Sequence, residues 1–366
     1  MKKSLAWIAT AALLAACNSG NGYVVTGSVE GAADGDTIYL ATVQGRQLAN
    51  LDTTVISNGK FKFEGKQDTA VLRYVCYTPE GDQPQRTDFF LENGRINIQL
   101  AKDEKNNTIG GTANNDTYMA LKQQNREASA RMMEIREAVN DPSLTDEARQ
   151  KLIDEYESID EQLVNNMKAA ATQNITNAVG IQMLKRTYYD MSIEEIEALI
   201  PQIPAEFAKD EQIVYIKEMT EKKKKTAEGQ KFIDFTMKTP EGQEVKLSDY
   251  VGKGKVVLVD FWASWCGPCC REMPNLVEVY AQYKDKGFEI VGVSLDRDAE
   301  SWKKAIQELN ITWPQMSDLK FWKCEGAQLY AVNSIPHTVL IAADGTILAR
   351  GLHGAEVAEK VAEALK

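Results

Sequence analysis

The sequence predicts a multidomain protein with three parts: an N-terminal antiparallel β-sandwich, a central α-helical segment and a C-terminal α/β domain. The chain has 366 residues, more than one typical domain contains. Its composition also changes along its length. Residues 23–111 are rich in β-branched residues and turn signals, residues 112–179 lack glycine, and strand and helix patterns alternate from residue 229 onward.

The first residues resemble a bacterial lipoprotein signal peptide. A basic start over residues 1–3 precedes an apolar run over residues 5–16, which is too short for a comfortable transmembrane helix. The run ends in Leu-Ala-Ala-Cys17, which resembles a lipobox. We expect a signal peptide over residues 1–16, lipidation of Cys17 and a tether over residues 17–22. The alternative is a plain signal peptide with an incidental cysteine.

Such a leader implies export to the periplasm or cell envelope, with the protein anchored to the membrane through the lipid on Cys17. Disulfides form and persist outside the cytoplasm, so an exported thiol protein can meet disulfide-bearing partners there. The formal net charge of −11 favours solubility and argues against nucleic acid as a partner.

Residues 23–111 carry the signature of half-exposed strands. Apolar and polar side chains alternate in stretches such as residues 61–64 and 95–100. No catalytic constellation is evident in this region. Cys76 lies between Val75 and Tyr77, and it is either a small buried apolar residue or a redox site.

Residues 112–228 form the predicted helical segment. Apolar residues at three- and four-residue spacing predict a first helix over residues 118–139, and Thr145 is expected to cap a second helix, so that the two form an αα-hairpin. Ser192-x-x-Glu195 predicts a capping box for a later helix. The lysine run 222–225 is either the solvated end of a helix or a patch for phospholipid or an acidic partner.

The last part of the chain is organised around residues 256–272. Four consecutive aliphatic residues, 256–259, predict a strand that is buried on both faces. The chain then turns through Trp265 into Cys266-Gly267-Pro268-Cys269, and a helical pattern follows. Two cysteines therefore lie where a strand ends and a helix begins.

This position has chemical consequences for the two cysteines. Residues i and i+3 are neighbours on a first helical turn, at a Cα separation that a disulfide tolerates. The unpaired N–H groups and the dipole at a helix start lower the pKa of the Cys266 thiol. Cys266 is thus the expected attacking thiolate, and Cys269 is the thiol that resolves a mixed disulfide.

Trp265 and the Cys-Gly-Pro-Cys stretch, with Ile335-Pro336 downstream, resemble thioredoxin-fold thiol–disulfide oxidoreductases, and more closely the TlpA/ResA-like proteins of bacterial envelopes. The resemblance covers residues 229–366 and implies an α/β thioredoxin fold there, with no cofactor other than the redox-active disulfide Cys266–Cys269. Zinc sites also use C-x-x-C, but the chain has no second one and only two histidines, so no metal site is expected. The β-rich region resembles the N-terminal domain of unknown function in Bacteroidetes-type lipoproteins.

The resemblance also implies roles for two carboxylates. Asp260 ends the apolar strand six residues before Cys266 and matches the family's buried acid. Burial raises a carboxyl pKa, which makes Asp260 a candidate base for Cys269. Glu272 matches an acid in the envelope family's C-x-x-C-x-x-E. A surface Asp260 and an ordinary helix-surface Glu272 are the alternatives, and which carboxylate accepts the proton stays open.

The expected substrate-binding residues are Trp265, Gly267, Pro268, Ile335 and Pro336. Ile335-Pro336 resembles the family's cis-proline loop, which faces the disulfide and pairs backbone groups with substrate. Trp265 is expected to pack beside the cysteines and to offer an apolar contact surface.

Three residues raise open questions. His337 follows the proline where the family usually has threonine. Cys270 projects about 100° away from Cys269 on a helix, so it is either a half-packed thiol or a third redox partner. Cys324 has Cys270 and Cys76 as conceivable partners, and the sequence does not decide between them.

The leading hypothesis is a thiol–disulfide oxidoreductase that exchanges with client protein disulfides, and Gly-Pro between the cysteines favours reduction of the client. A membrane thiol electron donor is then implied. One alternative is a thiol peroxidase, whose family motif needs Thr or Ser and Pro where Ala263 and Val259 stand. The other is a client-binding adaptor lipoprotein in which the redox domain is secondary.

Overall fold

The computed structural model describes residues 22–79, 81 and 83–366. These residues form two compact units, which divide between Ile213 and Val214. The predicted signal peptide and Cys17 lie outside the described residues. Within the described ranges, no helix has both the length and the apolar character needed to cross a lipid bilayer. The boundaries that the sequence predicts for the signal peptide, the tether and the three domains stay predictions.

The first unit begins with strands that form two four-stranded sheets. The strands are β1 (Tyr23–Val29), β2 (Thr37–Gln44), β3 (Gln47–Val55), β4 (Lys60–Gly65), β5 (Val71–Tyr77), β6 (Gln85–Leu91), β7 (Gly94–Leu100) and β8 (Thr108–Gly110). One sheet has the order β4-β1-β7-β8 and the other has the order β3-β2-β5-β6.

Alternation along these strands builds the core between the two sheets. In β4, Phe61 and Phe63 are buried while the lysines beside them are exposed, and in β7 every second side chain is buried. These apolar faces form one cluster, which includes Val25 of β1 and Phe89 of β6. The predicted N-terminal β-rich region is confirmed.

One strand pair departs from the predicted antiparallel arrangement. Strand β1 runs antiparallel to β4 but parallel to β7, with Tyr23 opposite Gly94 and Val29 opposite Leu100. A parallel pair needs a long crossover connection. Here the chain adds β4 to the first sheet and all four strands of the second sheet after β1, and only then returns to the first sheet as β7. Alternation within single strands carries no information about that return.

A helical segment follows, as predicted. Its helices are α1 (Ala113–Gln124), α2 (Arg126–Ala138), α3 (Asp146–Asn174), α4 (Ala178–Thr187), α5 (Ile193–Leu199) and α6 (Glu211–Lys225). The Thr145 hydroxyl accepts a hydrogen bond from the N–H of Ala148 (3.2 Å) and caps α3, and Ser192 and Glu195 form the predicted capping box. The lysine run is the last turn of α6, where positive charge favours a helix C-terminus.

The single helix predicted over residues 118–139 is wrong, because α1 and α2 meet at Asn125. The Asn125 side chain accepts a hydrogen bond from Nδ2 of Asn166 in α3 (2.8 Å). The break is therefore stabilised by a contact with a distant helix, which the local apolar spacing does not reveal.

Asn115 joins α1 to β6, the edge strand of its sheet. Its side chain is fully buried, and its Oδ1 accepts from the N–H of Phe90 while its Nδ2 donates to the Phe90 carbonyl, both over 2.8 Å. The amide thus supplies the hydrogen bonds that a further strand would supply at this edge.

The second unit contains a seven-stranded mixed sheet. Its strands are β9 (Thr236–Lys238), β10 (Glu244–Lys246), β11 (Val256–Trp262), β12 (Phe288–Ser294), β13 (Gln315–Ser317), β14 (His337–Ile341) and β15 (Ile347–Arg350). They have the order β10-β9-β13-β12-β11-β14-β15. Strand β11 is parallel to β12 and antiparallel to β14.

Four helices lie between or after these strands along the chain. They are α7 (Gly267–Tyr283), α8 (Ala299–Glu308), α9 (Glu325–Leu329) and α10 (Ala355–Ala364). All seven residues of β11 are buried, as expected of a strand covered on both faces. The strand ends at Trp262, four residues before Cys266.

We expect Asn115→Ala to lower the free energy of unfolding of the first unit by about 2–3 kcal/mol, because it leaves the buried N–H and carbonyl of Phe90 without partners. Urea unfolding followed by circular dichroism measures the change. Asn165→Ala, at an exposed position of α3, is the matched control and should change the free energy by less than about 0.5 kcal/mol. Equal unfolding midpoints for the two variants would contradict the role given to Asn115.

Candidate active site: a disulfide at the start of a helix

Cys266 caps α7, as the sequence predicted for its position. The N–H of Cys269 points at Cys266 Sγ over 3.2 Å, so the sulfur takes the place of an N-cap oxygen. The two sulfurs are bonded (Sγ–Sγ 2.01 Å), and their Cα atoms are 5.2 Å apart. Cys266 is 5% exposed and Cys269 is fully buried, so Cys266 is the more accessible sulfur. After reduction, the N–H groups of this helix start stabilise a thiolate at Cys266.

Gly267 and Pro268 are the first two residues of α7. Pro268 fits there because its missing N–H falls among the first-turn groups that have no intrahelical acceptor. Pro274 lies inside the same helix.

The turn before the cysteines is anchored on a buried carboxylate that sequence reasoning missed. Asp296 is 1% exposed and accepts hydrogen bonds from the Ser264 N–H (3.0 Å), the Ser264 hydroxyl (2.6 Å) and the Ser294 hydroxyl (2.8 Å). Ser264 precedes Cys266 by two residues. These bonds therefore fix where the chain enters α7.

The loop that faces the disulfide contains a cis peptide bond between Ile335 and Pro336. Cys266 Sγ lies 3.6 Å from the Ile335 carbonyl oxygen. Strand β14 starts directly afterwards, at His337, which pairs with Phe261 of β11. The structure thus brings Ile335 and Pro336 to the cysteines.

Asp260 lies in β11 and is 1% exposed, which excludes the alternative of a surface carboxylate. Burial raises the pKa of Asp260 to about 7, and the negative charge of Glu272 contributes to the increase. Among the described residues, its Oδ2 has no hydrogen-bond partner. A buried carboxyl group with a near-neutral pKa and an unpaired oxygen is suited to exchange a proton.

Glu272 is half-buried on α7, one helical turn after Cys269. Its Oε1 accepts hydrogen bonds from the N–H of Gly354 (2.9 Å) and from Nδ2 of Asn275 (2.8 Å). Because Gly354 precedes α10, Glu272 ties α7 to the start of that helix. The same bonds fix a negative charge that acts on Asp260. Which of the two carboxylates serves Cys269 stays a prediction.

His337 stands where the family usually has threonine, and Arg350 of β15 contacts its ring. Arg350 Nη2 lies 3.3 Å from His337 Nε2, so the imidazole accepts there and carries its proton on Nδ1. Burial, together with the positive charge of Arg350, lowers the pKa of His337 to about 3. His337 is therefore neutral at physiological pH and does not act as an acid beside the disulfide.

Cys76, Cys270 and Cys324 carry free thiols. Cys270 Sγ lies 3.6 Å from the Ser264 carbonyl oxygen, and burial and the charge of Asp296 raise its thiol pKa. Burial raises the pKa of Cys324 to about 12, and it also raises the pKa of Cys76. A thiol with a raised pKa stays protonated and reacts slowly. The three cysteines thus lack the features of redox partners.

Sequence reasoning missed two aromatic residues beside Trp265. Trp265 is 47% exposed, and its ring centroid lies 5.0 Å from that of Phe321 and 6.2 Å from that of Trp322. Leu319 and Phe321 have positive φ angles of 54° and 57°, a conformation that costs a bulky residue roughly 1–3 kcal/mol. Phe321 and Trp322 lie far along the chain from Trp265, so no local pattern connected them with the site.

The described residues contain no group of three or more His, Cys, Asp and Glu side chains placed to hold a metal ion.

A profile of the AhpC/TSA family matches residues 228–350, and a profile of a domain of unknown function, DUF4369, matches residues 23–118. Thiol–disulfide oxidoreductase ResA of Bacillus thuringiensis subsp. konkukian is 31% identical over 148 residues, which span 40% of this chain and 80% of the relative. ResA of Oceanobacillus iheyensis is 43% identical over 103 residues, which span 28% of this chain and 51% of the relative.

Part of the chain is also similar to a solved structure. The thioredoxin domain of a thiol–disulfide oxidoreductase from Bacteroides vulgatus is 38% identical, and the match covers 38% of this chain and 99% of that domain with a TM-score of 0.36.

The ResA of B. thuringiensis is matched over 80% of its length at 31% identity, and residues 228–350, which the AhpC/TSA profile matches, include the Cys266–Cys269 disulfide at a helix start. The chain therefore belongs to the ResA-like thiol–disulfide oxidoreductases, and its C-terminal unit has their thioredoxin fold.

Proposed function

We propose that this oxidoreductase reduces disulfides of client proteins in the cell envelope. The observation that carries the proposal is the position of Cys266: it is the more accessible sulfur of the pair, it caps α7, and it lies 3.6 Å from the Ile335 carbonyl oxygen. A client segment that pairs with the backbone of this loop brings its own sulfur next to Cys266.

Reduction of a client proceeds in two exchange steps. In the dithiol form, the Cys266 thiolate attacks one sulfur of the client disulfide, a mixed disulfide forms, and the other client sulfur leaves as a thiolate. Cys269 then loses its proton and attacks Cys266 Sγ, which breaks the mixed disulfide and releases the second client sulfur. The client gains two electrons and two protons, and the Cys266–Cys269 pair loses them.

Asp260 is the proposed acceptor of the Cys269 proton. A carboxyl group whose pKa is about 7 is ionised in part of the molecules at neutral pH, so it can take a proton and return it. Glu272 is the second candidate, and its charge already raises the proton affinity of Asp260.

A reductase of this kind must be reduced again after each turnover. The predicted signal peptide and the predicted lipid on Cys17 support a location in the periplasm or cell envelope, at the membrane. A membrane thiol electron donor is the proposed source of electrons. Gly267 and Pro268 between the cysteines support the reductive direction.

A specific observation counts against the thiol peroxidase, although one matching profile bears the AhpC/TSA name. Ala263 and Val259 stand where the peroxidase motif needs a hydroxyl residue and proline, and both are fully buried apolar side chains. The adaptor alternative predicts instead that Cys266→Ser leaves the function in cells intact.

We expect Cys269→Ser to accumulate a mixed disulfide between Cys266 and a client, because the resolving thiol is absent. Intact-mass spectrometry of the variant after incubation with a disulfide-bearing protein such as insulin measures the adduct. Cys270→Ser is the matched control: it should turn over insulin as the unchanged chain does and form no adduct. Turnover by Cys266→Ser would show that the attacking thiolate is wrongly assigned.

The reduction potential of the Cys266–Cys269 pair should lie near or below about −250 mV, in the range of reductants. Equilibration with glutathione and dithiothreitol buffers measures it. Cys270→Ser and Cys324→Ser should leave the value unchanged, because both thiols have raised pKa values and neither belongs to the disulfide. A value above about −150 mV would mean that the chain oxidises its clients.

Asp260→Asn should slow the resolving step at pH 7 by about 10²-fold, because Cys269 loses its proton acceptor.

The same variant should change how the free energy of unfolding depends on pH. The folded-state pKa of Asp260 is raised, so the folded chain binds this proton more tightly than the unfolded chain does. The free energy of unfolding therefore falls as pH rises from about 4 to about 7.

Asparagine does not titrate, so the free energy of unfolding of Asp260→Asn does not fall in this pH range. At pH 8 the oxidised variant should therefore be more stable than the unchanged chain by up to about 4 kcal/mol. At pH 3 the two should be equal. Urea unfolding at both pH values and stopped-flow mixing with a disulfide peptide provide the two readouts. Asp285→Asn, at an exposed position, is the control and should alter neither. An unchanged resolving rate would transfer the role of base to Glu272.

A further inference from the structure

The aromatic residues around Trp265 form a continuous apolar surface beside the attacking sulfur. Trp265 directly precedes Cys266 and is 47% exposed. Phe321 and Trp322 are half-buried, and their own ring centroids lie 6.0 Å apart, so the three rings contact one another in a single cluster. Exposed aromatic clusters on soluble proteins are typical of interaction sites.

Arg297 adds a cationic edge to this cluster. Its guanidinium carbon lies 4.0 Å from the centroid of the Phe321 ring, a cation–π contact. Arg297 is exposed, and no ion pair or hydrogen bond of its side chain occurs among the described residues. Its donors are therefore available, and a guanidinium binds a carboxylate through two parallel hydrogen bonds.

Two further basic residues lie near the cluster. Arg271 Nη1 lies 3.5 Å from the point that a Cβ on Gly267 would occupy, at the start of α7. Lys323 follows Trp322 and is exposed. Three basic residues, Arg297, Arg271 and Lys323, thus lie at this site in a chain whose formal net charge is −11.

The acidic residues closest in sequence mostly accept hydrogen bonds. Asp296, directly before Arg297, is buried and accepts from Ser264 and Ser294. Asp298 accepts hydrogen bonds from Ser301 and caps α8. Asp318 accepts from the N–H groups of Lys320 and Glu325, over 3.1 and 3.0 Å. Glu325 is exposed, and its side chain has no hydrogen bond or ion pair among the described residues.

The loop that carries Phe321 and Trp322 is fixed before any partner binds. Asp318 bonds to both ends of the loop, the Trp322 carbonyl accepts from Nε2 of Gln328 (2.8 Å), and Cys324 is fully buried beneath it. Phe321 keeps its left-handed conformation within this frame. A surface that is already ordered loses little conformational entropy when a partner docks.

We propose that Trp265, Phe321, Trp322 and Arg297 form a client-binding surface, and that it selects cysteine-containing segments that carry an aromatic residue and a carboxylate close to the cysteine. The proposal rests on the proposed function, because the client must present a disulfide to Cys266. The rings receive the aromatic side chain, and Arg297 receives the carboxylate. The exchange chemistry itself is unchanged.

Four cysteine peptides test this selectivity, each linked through a disulfide to the chromophore thionitrobenzoate. The residues beside the cysteine are Trp and Glu, Trp and Lys, Ala and Glu, or Ala and Lys. The readout is the rate constant of chromophore release by the full, reduced chain, with Cys266→Ser as the blank. The Trp and Glu peptide should react about tenfold faster than the Ala and Lys peptide, and the preference for Glu should shrink at high salt.

Two variants test whether the client-binding surface causes the preference for the Trp and Glu peptide. Arg297→Glu should reverse the order of the Glu and Lys peptides, and Phe321→Ala should bring the Trp and Ala peptides to similar rates. Lys253→Gln removes one positive charge at the opposite end of β11 and should preserve the wild-type order. Reduction of hydroxyethyl disulfide, a small neutral substrate, measures the exchange chemistry of each chain, and each peptide rate is divided by that rate.

Equal rates for the four peptides, or an unchanged order of the Glu and Lys peptides in Arg297→Glu, would overturn the proposed selectivity. The proposed function would still stand if the reduced chain reduces hydroxyethyl disulfide. A reduced chain that reacts with neither the peptides nor hydroxyethyl disulfide would overturn both.

Discussion

The complete burial of β11 determines where the chemistry takes place. The strand lies between β12 and β14, and all seven of its side chains are buried, so the chain has no freedom to leave the sheet before Trp262. Only residues 263–265 then separate the strand from Cys266, and the bonds of Ser264 to Asp296 fix their path. The first cysteine consequently coincides with the start of α7, where unpaired N–H groups favour a thiolate.

The same burial gives the site its carboxyl group of near-neutral pKa. Asp260 is part of β11, and a carboxylate among apolar side chains is costly in its charged form. The chain thus has lower stability at neutral pH where the proposed proton acceptor lies, a common trade-off at active sites. Glu272 strengthens the effect because its bonds to Gly354 and Asn275 fix a second negative charge nearby.

Local patterns in the sequence were sufficient for the strand, the turn and the helix around Cys266. They were also sufficient for the caps at Thr145 and Ser192, since a cap involves residues three positions apart. What they missed depends on contacts between distant residues. The break at Asn125 is stabilised by Asn166, the parallel pairing of β1 with β7 follows from a crossover, and Phe321 reaches Trp265 only through the folded sheet.

Comparison of Asp260 with Asp88 shows why burial alone does not identify a reactive carboxylate. Asp88 of β6 is also largely buried, but it accepts a hydrogen bond from the Tyr118 hydroxyl (2.6 Å), pairs with Lys122 and lies 3.6 Å from Arg186.

Although burial acts to raise the pKa of Asp88, these partners outweigh it and lower the pKa. The stability that Asp88 contributes is therefore present at neutral pH and is lost on acidification, whereas Asp260 destabilises the fold as the pH rises. A buried carboxylate with cationic partners holds β6, α1 and α4 together. A buried carboxylate with an unpaired oxygen, whose pKa the charge of another acid raises further, is suited to proton transfer. The partners of the group, and not its burial, separate the structural acid of the first unit from the proposed proton acceptor of the second.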